Sequence, residues 1–302
     1  MRFGGHQTFS IRDGWLFKGL RMVVKDPERL ADPDLADWLG VGKNMAKAIP
    51  HWLLATGLAE KDLAHGGKTK VLKPTPLGDL IWGRDRYFLL PGTWWAVHIQ
   101  LMNRPEHAYS WNWFFNQFSA SRFERPICVE ALRRHLASTG QRMPSARTLE
   151  RDIACLLRSY SVSVPREVGD PEEAMECPLS ELGLLLHSRQ TGFFHLNRDL
   201  KPIPYHVFGY ALACGEDLFG AGGRGAALDL SLTELTHRPN SPGHAFALTA
   251  EATYELIANF EAQRLVRLDG QVGERIVRID GFPAIEWMAR HYDSVEKTEE
   301  AA

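Results

Sequence analysis

The chain of 302 residues carries 35 Lys and Arg against 37 Asp and Glu, with 44% hydrophobic and 24% charged residues. That length allows two or three modules with cores of their own, and the composition excludes a disordered or collagen-like chain. Charge is unevenly placed: residues 1–90 hold 14 Lys and Arg against 10 Asp and Glu, the rest 21 against 27, so any affinity for nucleic acid is expected to be local.

Four cysteines (Cys128, Cys155, Cys177, Cys214) lie far apart without a CxxC pair, which argues against a zinc ribbon or a disulfide framework and fits a reduced, cytoplasmic setting. No apolar run reaches the roughly 18 residues that a membrane span needs, and the start has no signal-peptide core.

The densest chemistry lies in Phe3–Lys25. Ser10 and Asp13 have the spacing of a capping box, which predicts a helix from near Ile11, with Leu16, Leu20, Val23 and Val24 as its packing stripe. Lys18, Arg21 and Lys25 fall on another face. Gly4-Gly5 permits a tight turn and close backbone approach, and it delivers His6, Gln7 and Arg12 to the helix amino end, where amides and dipole favour a phosphate. In that reading His6 moves a proton, while Arg12 and Lys18 stabilise charge on the phosphate. Asp13 is the nearest carboxylate for a divalent cation such as magnesium or manganese. Nothing points to an organic cofactor. The same residues also fit a turn, a satisfied core histidine and a solvated basic face.

Asp32-Pro33 reads as the start of a short helix through Leu39, which Gly40-Val41-Gly42 breaks. A second helical pattern runs from Lys43 to Thr56 with Gly57 as its stop. Pro50 inside it predicts a kink or a late start. Leu58–Leu63 and Lys68–Leu72 then flank His65-Gly66-Gly67 as a basic hairpin, followed by a helix from Thr75. Helix, glycine turn, helix and hairpin make up a winged helix-turn-helix pattern, with Arg21, Lys43, Asn44, Lys47, His51, Lys68, Lys70 and Lys73 as DNA-facing candidates.

Residues 87–126 are rich in aromatic side chains; Trp94, Trp95, Ile99 and Met102, then Trp111, Phe114, Phe115 and Phe118, recur at the spacing of a buried helix pair. Val129–Leu136 and Ser145–Tyr160 repeat the helix-turn-helix rhythm. Arg147 and Arg151 form a second candidate DNA surface, although Glu150 and Asp152 interspersed among them also fit a solvated helix face. Ser163–Pro178 reads as an acidic, proline-containing linker. Glu176, Cys177, His187 and His195 match no metal-ligand spacing, and Gly220–Gly225 lacks the features of a phosphate-binding loop. Leu232–Leu235, Thr249–Gln263 and a hairpin of Arg264–Leu268 with Arg275–Ile279 repeat the winged pattern with acidic residues on its main helix. The tail from Glu296 is expected to fray.

The expected class is therefore mainly α with small β-hairpins (α+β), as tandem winged helix-turn-helix-like modules around an aromatic helical core. The expected segments are 1–86, 87–165 and 166–302.

The opening Phe-Gly-Gly-His-Gln-Thr-Phe, with Arg12, Gly14-Trp15-Leu16 and Lys18, and then Leu39–Met45, resembles a bacterial family of formerly unknown function. That family includes the SspB-type nicking subunits of single-strand DNA phosphorothioation (phage-defence) systems. The likeness extends to Glu176–Leu179 and Glu181–Gly183. It implies a protein that nicks one DNA strand for sulfur incorporation, beside a cysteine desulfurase, an ATPase and an ATP pyrophosphatase. A non-catalytic DNA-binding adaptor and a protein-interaction scaffold are the alternatives that the residues leave open.

Overall fold

Helix α1 (Trp15–Lys25) begins four residues later than the Ser10/Asp13 spacing predicts, because the entry angle is set by Gly14 in a left-handed conformation with φ of 71° and not by a side-chain cap. Ile11, fully buried, is packed before the helix starts, and Trp15, Leu16, Leu20 and Val23 continue its apolar surface inward. The computed structural model describes residues 1–62, 71–140, 142–164, 177–215, 227–271 and 274–300.

After a 3-10 turn over Pro27–Ala31 comes α2 (Leu35–Leu39). It starts two residues later than expected: Asp32 accepts the Asp34 amide at 2.8 Å and the Trp38 indole N–H at 3.2 Å, so it organises the helix from outside. Gly40, with φ of 63°, closes it. Helix α3 (Lys43–Ala55) begins at Lys43 and runs continuously through Pro50, so the late start does not occur. Its inward face (Ala46, Ile49, Trp52, Leu53) packs under α1, and Gly57 at φ 65° ends it as expected.

Strands β1 (Ala59–Lys61) and β2 (Leu72–Pro74) pair antiparallel, Glu60 opposite Lys73. The second strand falls later than expected; the turn residues His65-Gly66-Gly67, with Lys68 and Lys70, lie outside the described residues. Thr75 caps α4 (Pro76–Arg84) by accepting the Gly78 amide at 3.1 Å. The aromatic stretch forms α5 (Pro91–Asn103) and α6 (Pro105–Gln117), with Trp94, Trp95, Trp111, Phe114, Phe115 and Phe118 all buried, as the periodicity predicts. Helices α7 (Arg125–Ser138) and α8 (Ala146–Tyr160) follow, the second capped by Ser145. A four-stranded sheet of order β3-β6-β5-β4 comprises β3 (Arg122–Phe123), β4 (Ser161–Val164), β5 (Leu185–Ser188) and β6 (Phe194–Leu196). Only the β4–β5 pairing is parallel.

The chain divides into two compact units, Met1–Leu196 and Asn197–Ala302, over which the three expected segments are distributed. The second unit consists of α9 (Tyr205–Cys214), β7 (Ala227–Ser231), α10 (Leu232–His237), α11 (Pro242–Ala245), α12 (Ala250–Ala262), β8 (Arg267–Gln271), β9 (Glu274–Asp280) and α13 (Ala284–Glu300). Its sheet is antiparallel, of order β7-β9-β8. Ser231 and Glu234 form a full capping box on α10. The tail is helical through Glu300, where sequence predicts fraying, because Trp287, Met288 and Tyr292 anchor its first turns in the core. The class is thus mainly helical α+β.

Candidate nucleic-acid interface

Gly4 and Gly5 each do one of the two things their sequence allows. Gly4 adopts φ of 70° to make the turn, and Gly5 lies so close to the His51 ring that any Cβ there would collide with it. Gln7 and Thr8 complete the turn with φ of 51° and 72°. This conformation presents His6 inward. His6 is 2% exposed, its Nε2 lies 2.9 Å from Asp152 Oδ1, and its Nδ1 accepts the Thr8 amide at 3.0 Å. The ring therefore holds its proton on Nε2 and donates it to Asp152. Both Asp152 oxygens are engaged in turn: Oδ1 also accepts the Gly4 amide at 2.7 Å, and Oδ2 accepts the Ser110 hydroxyl at 3.0 Å. Trp52 and Trp111 close over the imidazole at centroid distances of 5.9 Å each.

Asp152 is a correction to the sequence reading, which places it on the exposed arginine face of α8. It is 2% exposed and points into the core. The available signal is its position: three residues after Leu149 and four before Leu156, it falls on the apolar stripe. Arg147 and Arg151 do stand exposed on the other face, and Arg151 shares a cleft of about 570 Å³ with Arg125, Glu130 and Glu150.

The remaining residues of the opening motif do not converge on His6. Arg12 lies over the rings of Phe9 and Trp15, 5.9 and 5.8 Å from their centroids. Asp13 and Gln7 are exposed. Lys18 spans to the neighbouring helix, donating from Nζ to the Leu39 carbonyl at 3.1 Å, and so supplies the carboxyl end of α2 with a cation. Among the described residues no three His, Cys, Asp or Glu side chains are grouped to hold a metal ion. Asp152 has both oxygens engaged, and burial pushes the Cys177 thiol up to about 12. Neither of these two buried groups is free to hold a divalent cation.

The basic residues of α3 are placed differently. Lys43, Asn44 and Lys47 are exposed on the face opposite the buried stripe, at a helix amino end where Gly42 provides no side-chain cap. Arg21 is exposed on α1. Lys73 is exposed on β2, 3.2 Å from Glu60. His51 turns inward: it is 5% exposed, and burial, with Arg2, His6 and His107 nearby, lowers its pKa to about 3. Helical spacing puts it on the same side as Lys47, one turn on, and it is the amino-terminal turn at Gly5, packed against its ring, that covers it.

No helix among the described residues is long and apolar enough to cross a membrane. A comparison with curated proteins yields no match. Among solved structures the chain is similar to a crystal structure of SspB, at 26% identity and a TM-score of 0.81, over 97% of this chain and 88% of that one. A magnesium-bound crystal structure of SspB is similar at 27% identity, with the same TM-score and coverage. Residues 3–292 match the family described as Protein of unknown function (DUF4007), and the chain belongs to that family.

Proposed function

We propose that the protein binds duplex DNA as a subunit of a DNA phosphorothioation system and takes part in nicking one strand there. The observation that carries the DNA contact is the division of α3 into a core face and a solvent face bearing Lys43, Asn44 and Lys47, at an uncapped helix amino end. The order α1, α2, α3, β1, β2 supports a winged helix-turn-helix, in which α3 enters the major groove and the β1–β2 hairpin, with Lys73, lies along the backbone. Asn44 is then placed to meet a base edge, and the lysines meet phosphates. Lys18 and Arg21 on α1, and Arg12 just before it, add further cations to the same unit.

The similarity to SspB supports the placement within a phosphorothioation system. A cysteine desulfurase, an ATPase and an ATP pyrophosphatase are the partners that this placement implies. For the nicking step, Arg12 and Lys18 are the groups available to stabilise charge on a phosphate. His6 acts by holding the amino-terminal turn on α8, since both its ring nitrogens are engaged. That saturation favours a second reading, a DNA-binding adaptor whose partner cuts.

Conversion of supercoiled plasmid to open circle separates the two readings, run with magnesium, with manganese and with chelator, and repeated with Arg12→Ala and Lys18→Ala. Nicking by the wild type that is reduced in both variants supports the enzyme. Salt-sensitive binding with no open circle would leave the adaptor.

A further inference from the structure

Outside the α3 face, the first unit exposes a group of large apolar side chains that folding leaves in water. Trp38 is 52% exposed, Tyr87 59% and Leu89 77%. Tyr87 and Trp38 are joined by Phe17 of α1. Its ring lies 4.9 Å from Tyr87 and 6.1 Å from Trp82, stacked at 10°, and it lines a cleft of about 520 Å³ whose other side carries Trp38. Contiguous exposed rings of this kind mark a binding surface.

The surface is built to hold its shape. The buried carboxylate of Asp85 accepts the amides of Leu89 and Leu90, at 2.8 and 3.0 Å, and the Thr93 hydroxyl at 2.7 Å. Phe88, held at φ 58° and buried, accepts the Trp94 indole N–H on its carbonyl at 2.9 Å. The loop thus spends backbone strain to fix Tyr87 and Leu89 outward. Trp38 is fixed by Asp32 at its indole nitrogen and by the Arg29 guanidinium 3.9 Å from its ring centroid.

Cations line the same surface. Lys18, Arg21 and Arg29 lie in the cleft, and Arg86 stands 5.6 Å from the Trp82 ring; against these four stand Asp37, Asp26, which is 3.9 Å from Arg29, and Asp32 on the Trp38 indole. Aromatic faces interleaved with cations suit a polyanion that offers flat apolar groups, and a duplex hides the faces of its bases within the stack. We propose that this ledge binds single-stranded DNA, with bases stacking on Tyr87 and Trp38 and phosphates meeting Arg21 and Arg86. It uses none of the α3 lysines, and its test rests on Tyr87, Trp38 and Arg86, which the duplex reading does not use.

The test is fluorescence anisotropy of the full chain with a labelled oligothymidylate of about twenty nucleotides and, separately, a duplex of similar length. Tyr87→Ala and Trp38→Ala are each expected to weaken single-strand binding roughly tenfold, with Tyr87→Phe and Trp38→Phe retaining most of it and duplex affinity changing less than about twofold. Circular dichroism melts check that the variants fold. Should Trp38→Ala unfold, Tyr87→Ala and Arg86→Gln carry the test. Three results would overturn the proposal: no single-strand binding by the wild type, which would leave the ledge to a protein partner; unchanged binding in the variants that fold; or equal loss for single strand and duplex.

Discussion

His6 and Asp152 lie 146 positions apart in the chain and 2.9 Å apart in the fold. Through that contact the amino-terminal turn, α6 and α8 share one buried carboxylate, which takes donors from Gly4, His6 and Ser110. Removing the carboxylate strands three donors at once, two of them buried. Asp152→Ala is therefore expected to destabilise the protein by about 3 kcal/mol. His6→Ala, which leaves Gly4 and Ser110 on Asp152, costs less. Chemical denaturation of both variants checks the order; Asp152→Ala as stable as the wild type would contradict it.

Burial sets the behaviour of His51 in acid. Its folded pKa, about 3, lies below the ordinary histidine value of 6.5, so the unfolded chain takes up the proton first as pH falls. The stability contributed by the neutral ring is fully present above 6.5 and is lost progressively between 6.5 and 3. The loss amounts to a few kcal/mol at the acid end. The charged and titratable groups facing it, Arg2, His6 and His107, oppose the protonated form in the same direction. Melting midpoints of wild type and His51→Leu across that range provide the check: the wild type falls more steeply, and parallel curves would count against the assignment.

Gly5 and His51 make a second pair in which one residue dictates the other. A Cβ at position 5 collides with the His51 ring, which is packed against His6 and Trp52. Gly5→Ala is expected to destabilise by about 2 kcal/mol, within the overpacking range. Gly5→Ala combined with His51→Ala should recover most of that loss in a double-mutant cycle measured by thermal melts. A loss that stays additive would show that the clash is not the cause.

Much of this was legible in the residues. The glycine pair announces a turn and a close approach, and both occur; the helices expected from Thr75, Ser145 and Thr249 start there, each of these side chains accepting an amide of its first turn. The α3 lysines read as exposed because the apolar stripe beside them is unambiguous. What escaped the sequence is whatever tertiary contact decides. Ser10 and Asp13 have the spacing of a capping box, yet Gly14 sets the helix start, because Ile11 is needed in the core. Asp152 has a surface residue's chemistry at a core residue's spacing, and only the arrival of Gly4, His6 and Ser110 makes its burial affordable. Lys18 looks like a free cation on α1 until α2 brings the Leu39 carbonyl within reach.

The central claim is that the solvent face of α3 grips DNA phosphates. Duplex affinity measured over a series of salt concentrations tests it most directly, for the wild type and for the Lys43→Gln, Lys47→Gln double variant. Each phosphate contact contributes about one to the slope of log affinity against log salt. The double variant is predicted to bind more weakly and to lower that slope by about two. Unchanged affinity and slope would contradict the account.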